Sequence, residues 1–117
     1  NYDRAGEPEK AFEFALNGAK AARAKHSLET SEALYRIALV GAAHRDAETL
    51  YEVTEGLGSV LMLRGNYDEA NDHLARAADL ATSRLTTAEM YSKLGELAFR
   101  RGDATRATSM YEDALRL

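Results

Sequence analysis

One pattern of apolar and glycine positions occurs twice in this chain at a single fixed offset, and nothing else constrains its fold as strongly. The first copy, Thr54 to Ala77, carries Leu57-Gly58, Leu61, Gly65-Asn66-Tyr67, Ala70, Leu74 and Ala77. The second carries Tyr91, Leu94-Gly95, Ala98, Gly102-Asp103, Ala107, Tyr111 and Ala114. Gly58 maps to Gly95, Ala70 to Ala107, Leu74 to Tyr111 and Ala77 to Ala114, all at a shift of 37 residues. One offset shared by so many positions means one supersecondary unit used more than once. Such a chain is a scaffold with a surface.

Each copy reads as two helices with a glycine between them. Leu50, Val53, Leu57 and Leu61 recur at spacings of three and four, one face of an amphipathic helix. Gly65 ends that helix, because glycine takes a left-handed position without a Cβ penalty. Asn66 is expected to cap the next helix, with Glu69 at capping-box spacing, and Tyr67, Ala70, Leu74 and Ala77 form its buried stripe. Gly58 and the alanines are small because two helix backbones joined by so short a turn pass close together. Leucine at Ala70 or Ala107 is expected to overpack that crossing and lower the melting temperature.

The pattern resembles the tetratricopeptide repeat (TPR), a unit of ~34 residues with a large residue, Leu-Gly, an aromatic or aliphatic residue, then Ala, aromatic and Ala. The copy beginning at Tyr91 departs from it only at Ala98; the earlier copy has Thr54 where an aromatic is usual and lacks the terminal proline. Its period exceeds the usual one by about one helical turn, expected around Leu80–Leu85 as a longer second helix. The resemblance implies helix pairs stacked into a right-handed curved solenoid.

Length and composition agree. At 117 residues the chain is one domain's worth, and 45% hydrophobic residues with one Pro and eight Gly suit an all-helical protein. The apolar run Val60–Leu63 stops at Arg64, far short of a membrane span. The absence of cysteine excludes disulfides and thiolate metal sites. A net charge of −4 is the wrong sign for nucleic acid. The start at Asn1 without Met points to a piece of a longer protein, and a cytoplasmic one is expected.

In order along the chain, residues 2–6 read as the tail of an earlier helix with a glycine stop. Pro8 occupies a first-turn position of a long helix running to about Lys25. After His26-Ser27, the segment from Leu28 to about Ala43 repeats the second-helix pattern: Leu28, Ser31, Tyr35 and Ala38 align with Tyr67, Ala70, Leu74 and Ala77 at a shift of 39. The first helix of this degenerate unit offers Gly18-Ala19 where Leu-Gly is expected. Asp46 is the expected cap of a helix over Ala47–Arg64, followed by a helix over Tyr67–Ser83. Thr86 with Glu89 is read as a capping box opening Thr87–Arg101, and Asp103 caps the last helix. The fold class is therefore all-α, an α-solenoid of about six antiparallel helices in three TPR-like pairs, with repeats near 8–43, 47–83 and 86–117. Leu115 and Leu117 would be left partly exposed, for a further helix or a second copy to cover.

No catalytic, cofactor or metal site is read from the chain. His26 and His44 fall at helix breaks; His73 shares a helix face with Glu69, but no further ligands stand at a recognisable spacing. Gly56-Leu57-Gly58 follows no strand, so it is not taken as a nucleotide loop, and catalytic signatures are absent. The functional expectation is binding. In the TPR resemblance the concave groove is lined by the first helix of each pair, which here implies Glu52, Glu55, Ser59 and Met62, then Glu89, Ser92, Glu96 and Phe99, with Glu13, Leu16, Lys20 and Arg23 from the first unit. The Lys/Asn carboxylate clamp of co-chaperone TPRs is absent. An acidic groove with apolar spots at Met62 and Phe99 fits a basic or amphipathic helix, of a partner or of another domain of the same chain.

Ala5-Gly6-Glu7-Pro8-Glu9-Lys10-Ala11 and Ala33-Leu34-Tyr35-Arg36-Ile37-Ala38-Leu39 are similar to TPR regions of large bacterial signalling proteins. That resemblance implies an upstream ATPase module and a cyclase, kinase or DNA-binding output domain. The competing readings are a non-catalytic region of an enzyme and a scaffold that self-associates, as a homodimer, through its solenoid ends.

Overall fold

The structure is a computed structural model that describes residues 7–117, so the helical tail expected over residues 2–6 lies outside the described residues. Among the described residues six helices follow one another: α1 (Glu7–Ala24), α2 (Leu28–Ala42), α3 (Ala47–Leu63), α4 (Tyr67–Leu80), α5 (Arg84–Arg100) and α6 (Ala104–Arg116). No strand occurs among the described residues. The helices pair as α1/α2, α3/α4 and α5/α6, and α2 packs on α3 as α4 packs on α5. The result is a rod of 59 × 28 × 21 Å. Its radius of gyration is 15.3 Å, against roughly 13 Å for a compact domain of this length. Contacts therefore run between neighbours along the rod, as in a solenoid.

The three turns inside the pairs share one construction. At the end of each first helix, one N–H reaches back to the carbonyl of the residue five before it: Ser27 to Ala22 at 2.8 Å, Asn66 to Leu61 at 2.9 Å, Asp103 to Ala98 at 2.9 Å. The residue before the donor takes a left-handed conformation: His26 at φ 59°, Gly65 at 84° and Gly102 at 85°. This is the Schellman arrangement, which satisfies carbonyls that the helix end leaves unpaired. Glycine fills it twice; His26 fills it in the first pair at a steric cost.

Two of the expected caps are corrected. Asn66 makes no side-chain cap; its amide donates to Glu69 at 3.2 Å, whose carboxylate is held by Arg36. The box expected at Thr86 and Glu89 stands one turn earlier: Ser83 is the N-cap and Thr86 its partner, each accepting the other's backbone N–H. The additional turn accordingly lies at the start of the first helix and not at the end of the second. α3 and α5 each span 17 residues, while α4 stops at Leu80 after 14. Asp46 and Asp103 cap as expected, accepting from Thr49 at 2.8 Å and Arg106 at 3.0 Å.

Glycines set the helix crossings. A Cβ at Gly58 would lie 2.7 Å from Leu74 Cγ, and one at Gly95 would lie 3.0 Å from the Tyr111 ring. Leu74 and Tyr111 are themselves equivalent at the shift of 37, so the two crossings are one structure built twice. In the first pair Ala19 takes the glycine position, fully buried, and Ser31 takes that of Ala70, its hydroxyl donating to the Ala19 carbonyl at 2.9 Å. Gly56 has its own role: the ring of Tyr35 lies where its Cβ would be, which lets α2 seat on α3.

Candidate partner-binding surface

The first helices α1, α3 and α5 lie side by side and are tied by ion pairs. Lys20 donates to Glu52 at 3.0 Å. Arg23 grips Glu55 with both terminal nitrogens, at 3.1 and 3.0 Å. From the other side Lys93 reaches Glu55 at 2.8 Å and Ser59 at 2.8 Å. Ser59 donates in turn to Glu55 at 2.9 Å. Burial pushes the Glu55 carboxyl up, but the hydrogen bonds and charges of Arg23 and Lys93 outweigh it and hold it at about 2. Glu55 is thus a joint between three helices.

The expected groove residues divide accordingly. Ser59 and Met62 are buried, at 3% and 4% exposure, and offer no surface. Glu52 and Glu55 face solvent only in part and are paired. Glu89 and Ser92 are exposed, Glu96 is half-buried and paired with Arg100 at 2.9 Å, and Phe99 is 68% exposed. From the first unit, Leu16 is buried, Glu13 is exposed, and Lys20 and Arg23 are the cations already described. Of the acidic groove expected from Glu52, Glu55, Glu89 and Glu96, three carboxylates are charge-balanced: Lys20 and Arg23 of α1 and Lys93 of α5 meet Glu52 and Glu55, and Arg100 meets Glu96. At one end Glu48, Thr49, Tyr51, Glu52 and Glu55 line an open depression of about 370 Å³, to which Glu48 contributes an exposed carboxylate. Burial raises the Tyr51 hydroxyl, and the charges of Glu55 and Glu89 raise it further, so Glu89 bears on the same place.

Sequence reasoning missed Lys93 and Tyr51, and it missed the seat that Gly56 gives the Tyr35 ring. A readable signal existed for the ion pairs. Lys20–Glu52, Arg23–Glu55 and Glu32–Arg64 are separated by 32 residues, Arg36–Glu69 and Asp68–Arg101 by 33. Opposite charges 32 or 33 residues apart, somewhat less than one repeat, thus face each other along the rod. Among the described residues no group of three or more His, Cys, Asp or Glu side chains is placed to hold a metal, and no helix is long and apolar enough to cross a membrane. His73 approaches Glu69 at 3.5 Å, within the Arg36 cluster.

A profile described as tetratricopeptide repeat matches residues 46–117. The chain belongs to the tetratricopeptide repeat family. Among solved structures, the TPR domain of FLU from Arabidopsis superimposes with a TM-score of 0.82 at 19% identity, over 93% of this chain and 95% of that one. At that identity the likeness establishes the fold of the TPR array alone. A search of curated proteins found no match. TPR domains are in general non-catalytic modules that bind proteins or peptides, and the repeats described here have the architecture for that role.

Proposed function

We propose that this TPR array binds a basic, amphipathic helical segment along the face formed by α1, α3 and α5. The segment belongs to a protein partner or to another domain of a longer regulatory chain. The observation that carries the reading is the depression around Tyr51, where the exposed Glu48 stands beside the aromatic ring and the charge of the exposed Glu89 also bears on it. Carboxylates and an aromatic face together suit a lysine or arginine side chain. Phe99, exposed on α5, supplies an apolar spot for the segment's other face.

Glu55 is the wrong residue to reverse in a test, because Glu55→Lys would place three cations together and strain the joint. Glu48→Lys with Glu89→Lys changes only exposed positions. Fluorescence anisotropy with a lysine-rich amphipathic helical peptide should show binding that weakens as salt rises. The double variant should lose at least about tenfold in affinity with an unchanged thermal melt. Equal binding of a glutamate-rich control peptide, or full affinity in the variant, would sink the proposal.

A further inference from the structure

The solvent side of α2 differs from the same side of the other two second helices. Ser31, Leu34 and Gly41 of α2 face α1, through the bond to the Ala19 carbonyl and the contacts of Leu34 with Gly18 and of Gly41 with Phe12. Tyr35 lies against Gly56 of α3. Glu32 and Arg36 reach forward to Arg64 and Glu69. What is left is a line at helical spacing: Glu29, Ala33, Ile37, Val40 and, in the turn after the helix, His44. All are exposed, Ile37 by 56% and Val40 by 77%. At the places of Ala33, Ile37 and Val40, α4 carries Asp72, Arg76 and Asp79, and α6 carries Ser109, Asp113 and Arg116. Two of the three repeats solvate this side; the first makes it apolar.

The line is also self-complementary. About a point between Arg36 and Ile37, Glu29 is the mirror position of His44 and Ala33 that of Val40. We propose that the chain forms a two-fold symmetric dimer in which α2 packs antiparallel on α2 of a second copy. Each Val40 sits over the small Ala33 of the other copy, and the two Ile37 side chains meet at the axis. Each Glu29 carboxylate faces a His44 imidazole, whose N–H donates in either protonation state. Such an interface is isologous and closes on itself. Arg36 does not obstruct it, because Glu69 holds its guanidinium at 2.7 and 2.9 Å on the α4 side. A single helix pair buries less than the ~1,200 Å² of standard interfaces, so the dimer is a weak one. It leaves the α1/α3/α5 face free and does not depend on what binds there.

Sedimentation equilibrium of the 117-residue chain, from micromolar to near-millimolar concentration, tests it. The wild type should show a monomer–dimer equilibrium. Ile37→Arg with Val40→Asp installs the residues that α4 carries at these places; it should raise the dimer Kd at least about tenfold and leave the thermal melt unchanged. The exposed Glu29→Lys change gives a second reading: weakened association that His44→Glu restores supports the antiparallel two-fold. A wild type that stays monomeric, or association indifferent to all these changes, overturns the proposal. So does association lost on Leu115→Glu instead, because Leu115 lies at the far end of the rod.

Discussion

Replacing Gly58 and Gly95 by alanine, one at a time, should give opposite results although the two glycines are equivalent in the repeat. Both lie inside helices, where glycine is about 0.8–1.0 kcal/mol worse than alanine, so each substitution starts with that gain. At Gly58 the new methyl would stand 2.7 and 2.8 Å from Leu74 Cγ and Cδ2 and 3.2 Å from the Leu74 backbone nitrogen. Leu74 is fully buried and has nowhere to go. Overpacking of this kind costs about 1–3 kcal/mol, and the short approach to backbone puts Gly58 towards the upper end. The net loss should be about 1–2 kcal/mol, or roughly 3–8 °C in melting temperature for a chain of this size.

At Gly95 the nearest atoms are the Tyr111 ring at 3.0–3.1 Å, and Tyr111 is 40% exposed. The ring can swing outward by a few tenths of an ångström, so Gly95→Ala should be neutral or stabilising by up to about 1 kcal/mol. Circular-dichroism melts of the two single variants decide the matter, and Leu74→Ala supplies a double-mutant cycle. Leu74→Ala should cost clearly less in the Gly58→Ala background than in the wild type, because it removes the clash. A Gly58→Ala protein as stable as wild type, or a Gly95→Ala protein less stable than Gly58→Ala, would refute the close-crossing argument.

Further predictions follow from the same structure. His26→Gly should stabilise the chain by about 0.5–1 kcal/mol, since it relieves a left-handed non-glycine residue at a place where Gly65 and Gly102 serve elsewhere; a thermal melt reads it directly. Ser83→Ala should cost about 1 kcal/mol and Asn66→Ala only a few tenths, since the first side chain caps its helix and the second does not; chemical denaturation of both variants checks the contrast. The Glu55 carboxyl sits at about 2 in the folded protein against the ordinary glutamate value of 4.5. Its contribution to stability is therefore present above pH 4.5 and lost as pH falls towards 2. In Glu55→Gln, urea midpoints measured across that window should depend less on pH than those of the wild type.

The sequence was enough for the fold because the fold is local and repeated. Periodicity at three and four residues, a glycine stop and an aspartate cap each act within one helix or one turn, so Asp46, Gly65, Asp103 and the Gly58/Gly95 equivalence were legible without neighbours. The misread caps at Asn66 and Thr86 show where that ends. Each was assigned by spacing, yet Asn66 turns to a Glu69 already engaged by Arg36 from another helix. At the α4–α5 junction the chain closes on Ser83 instead, one turn before the residue that spacing favoured.

What only the tertiary structure decided is the character of the surfaces. Glu55 reads as a free groove carboxylate in one dimension; in three it is gripped by Arg23, 32 residues before it, and Lys93, 38 residues after. Ser59 and Met62 occupy groove positions by motif, but stacking of the next pair encloses them, while Phe99 at the position equivalent to Met62 remains open. Local chemistry determines where helices start, stop and cross. Charge compensation and burial depend on which helices the stack brings side by side, and short-range patterns do not carry that information.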